Sequence, residues 1–100
     1  MKDVVIRHII VRGRVQGVGY RAFVENEAAR RGVEGWVRNR SDGTVEAVFA
    51  GPAEDVAMMI EACSRGPRAA RVEAVEEREG TPALLAQRRI TEKFSVLATV

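Results

Sequence analysis

Residues 36–50 read WVRNRSDGTVEAVFA, two short apolar-rich runs separated by Ser41-Asp42-Gly43. Asp bonds its own backbone and Gly tolerates positive φ, so the triplet is hairpin-turn chemistry. The pattern predicts a second strand that opens at Trp36 and Val37 and ends near Arg40, then a third over residues 44–50. A connection this short joins only antiparallel strands, because parallel neighbours need a crossover of a dozen residues or more. The middle of the chain is therefore no part of a purely parallel βα array.

The flanks complete the plan. Upstream, Val4 to Arg12 (VVIRHIIVR) is almost wholly β-branched and apolar and predicts a first strand stopping at Gly13. Residues 21–31, RAFVENEAARR, are rich in helix formers, with Ala22, Phe23, Val24 and Ala28 as a candidate buried stripe and Gly32 as the stop. Downstream, Pro52 suits the first turn of a helix, and Val56, Met59, Ile60 and Cys63 fall at i, i+3, i+4 and i+7. Gly66-Pro67 ends that helix. Residues 70–78 set Ala70, Val72 and Ala74 against Arg71, Glu73 and Val75, an imperfect alternation that predicts a fourth strand. From Gly80 to Lys93 the pattern is weak: LLAQRRI suits a short helix and Thr81-Pro82 marks a break. Phe94 to Leu97 predicts a last edge strand. The order βαββαβ predicts an α+β, ferredoxin-like two-layer sandwich, an antiparallel sheet with two helices on one face.

A chain of 100 residues, 46% of them hydrophobic, fits a single domain over residues 1–100. Sixteen Lys and Arg against fourteen Asp and Glu leave a charge of +2, too mild for a duplex-binding stripe, so nucleic acid is no expected partner. No run approaches the ~20 apolar residues that span a membrane. One cysteine, Cys63, closes no intrachain disulfide, and Met1 to Arg12 lacks the apolar region and small-residue cleavage site of a signal peptide. These features predict a cytoplasmic chain, and the mixed surface charge predicts a monomer.

Residues 13–21, GRVQGVGYR, lie between the first strand and the first helix. Glycines let successive N–H groups converge, and a helix start adds unpaired donors at the positive end of its dipole. Arg21 adds a guanidinium whose donor fork suits a phosphoryl group. Spacing alone fits both an anion cradle and a plain glycine-rich turn with an exposed arginine. Gly17 to Ala22 also satisfies GxGxxA, with Asp42 where a ribose-binding acid would stand, but that fold needs a parallel second strand where this chain has a hairpin.

GRVQGVGYR followed by GWVRNRSDGTVEAVFAG (residues 35–51) closely resembles the two signature segments of the acylphosphatase family. The resemblance runs on through the second helix into GPRAARVEAVE and covers most of residues 8–78; Phe94-Ser95-Val96 resembles the family's closing strand, while residues 80–93 depart from it. It implies a ferredoxin-like enzyme that hydrolyses the carboxyl–phosphate bond of acyl phosphates, with no metal, no cofactor and no covalent intermediate. It places the catalytic pair on Arg21 and Asn39, and the phosphate-binding loop on Gln16, Gly17, Val18, Gly19, Tyr20 and Arg21. The implied partners are small-molecule acyl phosphates and inorganic phosphate.

That chemistry suits these residue types. A carboxylate leaving group of pKa about 4 departs without a protein acid. A loose phosphoryl transition state asks for positioning and charge stabilisation, which loop amides and one arginine supply. The Asn39 amide offers a donor and an acceptor with which to hold a water, or else bonds its own backbone beside the turn. His8 has no partner motif and receives no role; Cys63 completes an apolar stripe; Glu73, Glu76, Glu77 and Glu79 are expected on a solvated edge rather than around a metal. Tyr20 and Trp36 are expected in the core, the alternative being that they shape the substrate mouth. The alternative to an enzyme is a non-catalytic module of the same fold that binds an anion or carbamoyl phosphate. An RNA-binding sheet is disfavoured, because the first strand lacks aromatics and the third offers only Phe49.

Overall fold

Asp42 Oδ1 accepts hydrogen bonds from the Thr44 amide (3.0 Å) and the Thr44 hydroxyl (2.6 Å), closing the turn that the sequence predicts. The computed structural model describes residues 3–100; Met1 and Lys2, the start of the stretch read for a leader, lie outside the described residues. Strands β2 (Glu34–Asn39) and β3 (Val45–Pro52) flank the turn and pair antiparallel, Trp36 opposite Val48 and Asn39 opposite Val45. The other elements are β1 (Val4–Arg14), α1 (Tyr20–Arg31), α2 (Ala53–Arg65), β4 (Arg71–Glu79), α3 (Pro82–Leu85) and β5 (Phe94–Val96). The strand order is β4-β1-β3-β2-β5. The fold is the ferredoxin-like α+β plan, with one departure from an all-antiparallel sheet: β5 runs parallel to β2.

Period-two alternation divides the sheet into two faces. Ile9, Val11, Val37, Val45, Ala47 and Phe49 pack beneath α1 and α2, which contribute Val24, Ala28, Val56, Met59 and Cys63 to the same core. Burying an aliphatic or aromatic side chain of this size contributes roughly 1.5–3 kcal/mol, so this face supplies most of the driving force. The predicted stripes hold except at their margins: Ile60 is half-buried, Pro52 ends β3 rather than opening the helical turn, and Ala22 is exposed.

Residues 80–93 cover part of the other face. Because β4 and β5 lie at opposite edges, the chain between them has to cross the sheet. It crosses over Trp36, whose indole N–H donates to the Leu84 carbonyl at 2.7 Å, and Arg88 reaches Glu34. Trp36 is thus fully buried as expected, but on the face away from the long helices. The imperfect alternation of β4 also has a cause. A bulge sets Arg12 opposite Ala74 and Gly13 opposite Val72, leaving Glu73 unpaired. Val72 and Val75, three apart, therefore both pack on the core, and Ala74 is exposed instead of joining Val72.

Candidate active site

β1 carries the chain to Val15, buried in the core, and the next four residues turn it into α1. Gly17 (φ 72°) and Gly19 (φ 78°) both adopt the left-handed conformation that other residues resist. Gly19 caps α1 with no side-chain hydrogen bond, and no acidic residue lies in the first turn. The opening amides of the helix consequently keep their donor capacity, and the dipole faces the loop uncompensated.

Two side chains fix this loop. The Gln16 amide donates to the carbonyls of Arg40 and Thr44, each at 2.8 Å, tying it to the β2–β3 hairpin. The Tyr20 hydroxyl donates to the Cys63 carbonyl at 2.6 Å, tying the start of α1 to α2. Tyr20 is 2% exposed, and burial raises its phenol pKa far above the ordinary value.

The Gln16–hairpin tie brings the end of β2 beside the loop. A cleft of about 430 Å³ results, lined by Val15, Gly17, Gly19, Tyr20, Arg21, Ala22, Glu25, Asn39 and Val96. Arg21 and Asn39, distant in sequence, thus face one space. The Arg21 side chain has no hydrogen bond or ion pair to any described residue. The Asn39 Oδ1 is buried with no hydrogen-bond partner among the described residues. A guanidinium without a described partner, the donor-bearing start of α1 and an unspent amide oxygen are the chemistry that suits a small oxyanion with a polar molecule beside it.

Of the residues expected at a phosphate loop, Gly17, Gly19, Tyr20 and Arg21 line the cleft. The Gln16 side chain is spent on the hairpin, and the Val18 side chain packs on the core. Glu25 and Val96 also line the cleft without having been singled out. The signal for Glu25 was available: it stands four residues beyond Arg21, one turn along the same helix face. Val96 had no local signal, because only the parallel pairing of β5 with β2 brings it there.

The remaining candidates lie elsewhere. Cys63 is fully buried, and burial pushes its thiol up to about 12, unsuited to a nucleophile. His8 sits on the opposite face, its Nε2 2.7 Å from Glu46 Oε2. Among the described residues no group of three or more His, Cys, Asp or Glu side chains is placed to hold a metal ion. No described helix is long and apolar enough to cross a membrane.

Known proteins share the sequence and the fold. A family model, Acylphosphatase, matches residues 7–90. An acylphosphatase of Rhodopseudomonas palustris (strain BisB18) is 56% identical over 96 residues, 96% of this chain and 97% of that protein. Among solved structures, an acylphosphatase from Coxiella burnetii superposes with a TM-score of 0.81 at 30% identity, over 95% of this chain and 94% of that one. The acylphosphatase from Bacillus subtilis gives 0.76 at 36% identity, over 95% and 99%. Similarity of this depth, over nearly the whole of each protein and through both segments that build the cleft, means that the chain belongs to the acylphosphatase family, hydrolases of small acyl phosphates.

Proposed function

We propose that this acylphosphatase works by in-line attack of a water held by Asn39 on a phosphoryl group bound by Arg21 and the backbone amides of residues 16–21. Its products are a carboxylate and inorganic phosphate. The observation that carries this assignment is the pairing, in one cleft, of an arginine with no partner among the described residues and an asparagine whose buried Oδ1 has none among them either.

Each group has one task. Arg21 and the helix-start amides offer fixed donors where negative charge sits on the equatorial oxygens, and being preorganised they need little rearrangement as the transition state forms. The Asn39 oxygen accepts a hydrogen bond from the attacking water, orienting a lone pair at phosphorus without removing its proton. The proton passes to a phosphate oxygen of the substrate. The carboxylate leaves unassisted, being a weak base of pKa about 4. The same proposal takes the chain to act as a monomeric single domain in the cytoplasm, in keeping with its mixed surface charge and lone buried cysteine.

Hydrolysis of benzoyl phosphate in the presence of EDTA tests this assignment. Turnover unaffected by the chelator and competitively inhibited by inorganic phosphate is the expected result. A folded chain that binds phosphate without turnover would instead be the non-catalytic anion-binding module.

A further inference from the structure

A second hollow, also about 430 Å³, is lined by Glu25, Ala28, Ala29, Gly32, Val33, Glu92, Lys93 and Phe94, so the Glu25 side chain borders both spaces. Their walls follow from periodicity. Arg21, Glu25 and Ala28 recur at i, i+4 and i+7, one stripe of α1 that runs on to its cap Gly32, and Val96 and Phe94 are alternate residues on one face of β5. A single groove therefore runs between α1 and the sheet-edge strand, away from the phosphate-binding end. Its far half is mainly apolar, floored by Phe94, which stacks on Phe49 with ring centroids 6.1 Å apart.

Charge along this groove is uneven: the cation of its far half, Lys93, stands at the Gly32 end, seven residues beyond Glu25, so Glu25 lies between it and the phosphate end. Glu92 is occupied by Ser95 and Arg89. Glu25 is exposed and has no ion pair or hydrogen bond to any described residue. Four residues of helical rise put its backbone about 6 Å beyond that of Arg21. An acyl group leaving the phosphate end along the groove passes this carboxylate first.

We propose that the α1–β5 groove receives the acyl moiety of the substrate and that Glu25 selects against acyl groups bearing a second negative charge, so the preferred substrates are acyl phosphates with a neutral or cationic acyl group. This proposal rests on the acyl-phosphate assignment above and adds the side of the substrate that the phosphate loop does not read. The phosphoryl end supplies positive charge for one anion only. A carboxylate or phosphate further along the acyl group meets Glu25, whereas an ammonium there is attracted to it.

Three rigid substrates test it: benzoyl phosphate, 4-carboxybenzoyl phosphate and 4-(aminomethyl)benzoyl phosphate, with kcat/KM measured for wild type and Glu25→Gln. The expected result is that Glu25→Gln raises the 4-carboxybenzoyl to benzoyl ratio about threefold and lowers the aminomethyl ratio comparably, both effects shrinking at high salt. Comparing ratios between the two proteins cancels differences in leaving-group chemistry. Ratios unchanged between wild type and variant would overturn the role of Glu25. The exposed Ala29 gives a second probe: Ala29→Trp is expected to lower kcat/KM for benzoyl phosphate relative to acetyl phosphate severalfold, and an unchanged ratio would place the acyl group outside the groove. If wild type hydrolyses no acyl phosphate at all, the assignment of activity fails first, and the proposal with it.

Discussion

The Gln16 side chain donates a 2.8 Å hydrogen bond to the carbonyl of Arg40, the residue that follows Asn39. A second bond of the same length to Thr44 O makes the amide a clamp across the base of the hairpin. The loop that lines the cleft and the strand end that presents Asn39 are thereby held at a fixed separation. Near-attack geometry depends on such separations, and a shift of an ångström can cost orders of magnitude in rate. On the proposed mechanism Gln16 is a positioning residue, touching the hairpin and not the substrate.

Substituting Gln16→Ala should therefore lower kcat more than it weakens phosphate inhibition. Two hydrogen bonds are lost, each worth about 0.5–1.5 kcal/mol net, while both carbonyls keep a backbone donor, the Gly43 amide for Arg40 and the Arg40 amide for Thr44. Urea unfolding measured alongside steady-state kinetics separates the two effects. A variant that is less stable but keeps full kcat would limit Gln16 to holding the fold.

Arg21→Ala should lose phosphate inhibition and turnover together. A hydrogen bond to a charged group is worth about 1.5–3 kcal/mol before any strengthening in the transition state, so the inhibition constant should rise at least tenfold. Stability should not fall, because the guanidinium has no partner among the described residues to lose and a cation in the first turn opposes the helix dipole. Unchanged inhibition by inorganic phosphate would remove Arg21 from the site.

Asn39→Ala divides the same quantities differently. Turnover should fall by two or more orders of magnitude while phosphate inhibition survives, since holding the water matters only in the reaction. Stability should stay level or rise, because the substitution removes a buried oxygen that has no partner among the described residues. A large loss of stability would mark Asn39 as a structural turn residue.

These residues were unequally legible in the sequence. The hairpin, the glycine loop and the stripe of α2 are local patterns, and they sit where periodicity and turn chemistry put them. What was hidden is non-local. The bulge opposite Arg12 is set by pairing with β1, so the sequence of β4 alone reads as a flawed alternation. The segment from Gly80 to Lys93 obeys no single period because it drapes over the sheet, contributing one backbone carbonyl to Trp36 instead of an amphipathic face. The pairing of Arg21 with Asn39 came from the resemblance; the Gln16 clamp that accounts for it is a contact between elements that no spacing announces.

The open face of the sheet makes a prediction about pH. Glu46 is only 8% exposed between His8 on β1 and Arg38 on β2, accepting from Arg38 Nε at 2.8 Å, and Arg38 in turn lies over the Trp36 ring. Burial alone would raise its carboxyl pKa, but the hydrogen bonds from His8 and Arg38 and their charges outweigh burial, and the net shift is downward. A carboxyl whose pKa is lower folded than unfolded contributes stability fully above its unfolded value, about 4.3, and loses that contribution as pH falls through the folded value. The urea midpoint of wild type should thus decline as pH drops below about 5. Glu46→Gln should be less stable at pH 7 by about 1–3 kcal/mol, the scale of charge-assisted bonds, and its midpoint should fall less steeply with acid. Some acid dependence should persist, since the carboxyls of Asp42, held by Thr44, and Glu92, held by Ser95 and Arg89, are lowered as well. Parallel midpoint-versus-pH curves for wild type and Glu46→Gln would show that the His8–Glu46–Arg38 cluster adds nothing to acid stability. Converging curves would assign it a share, with kcat untouched because the cluster lies on the sheet face opposite the cleft.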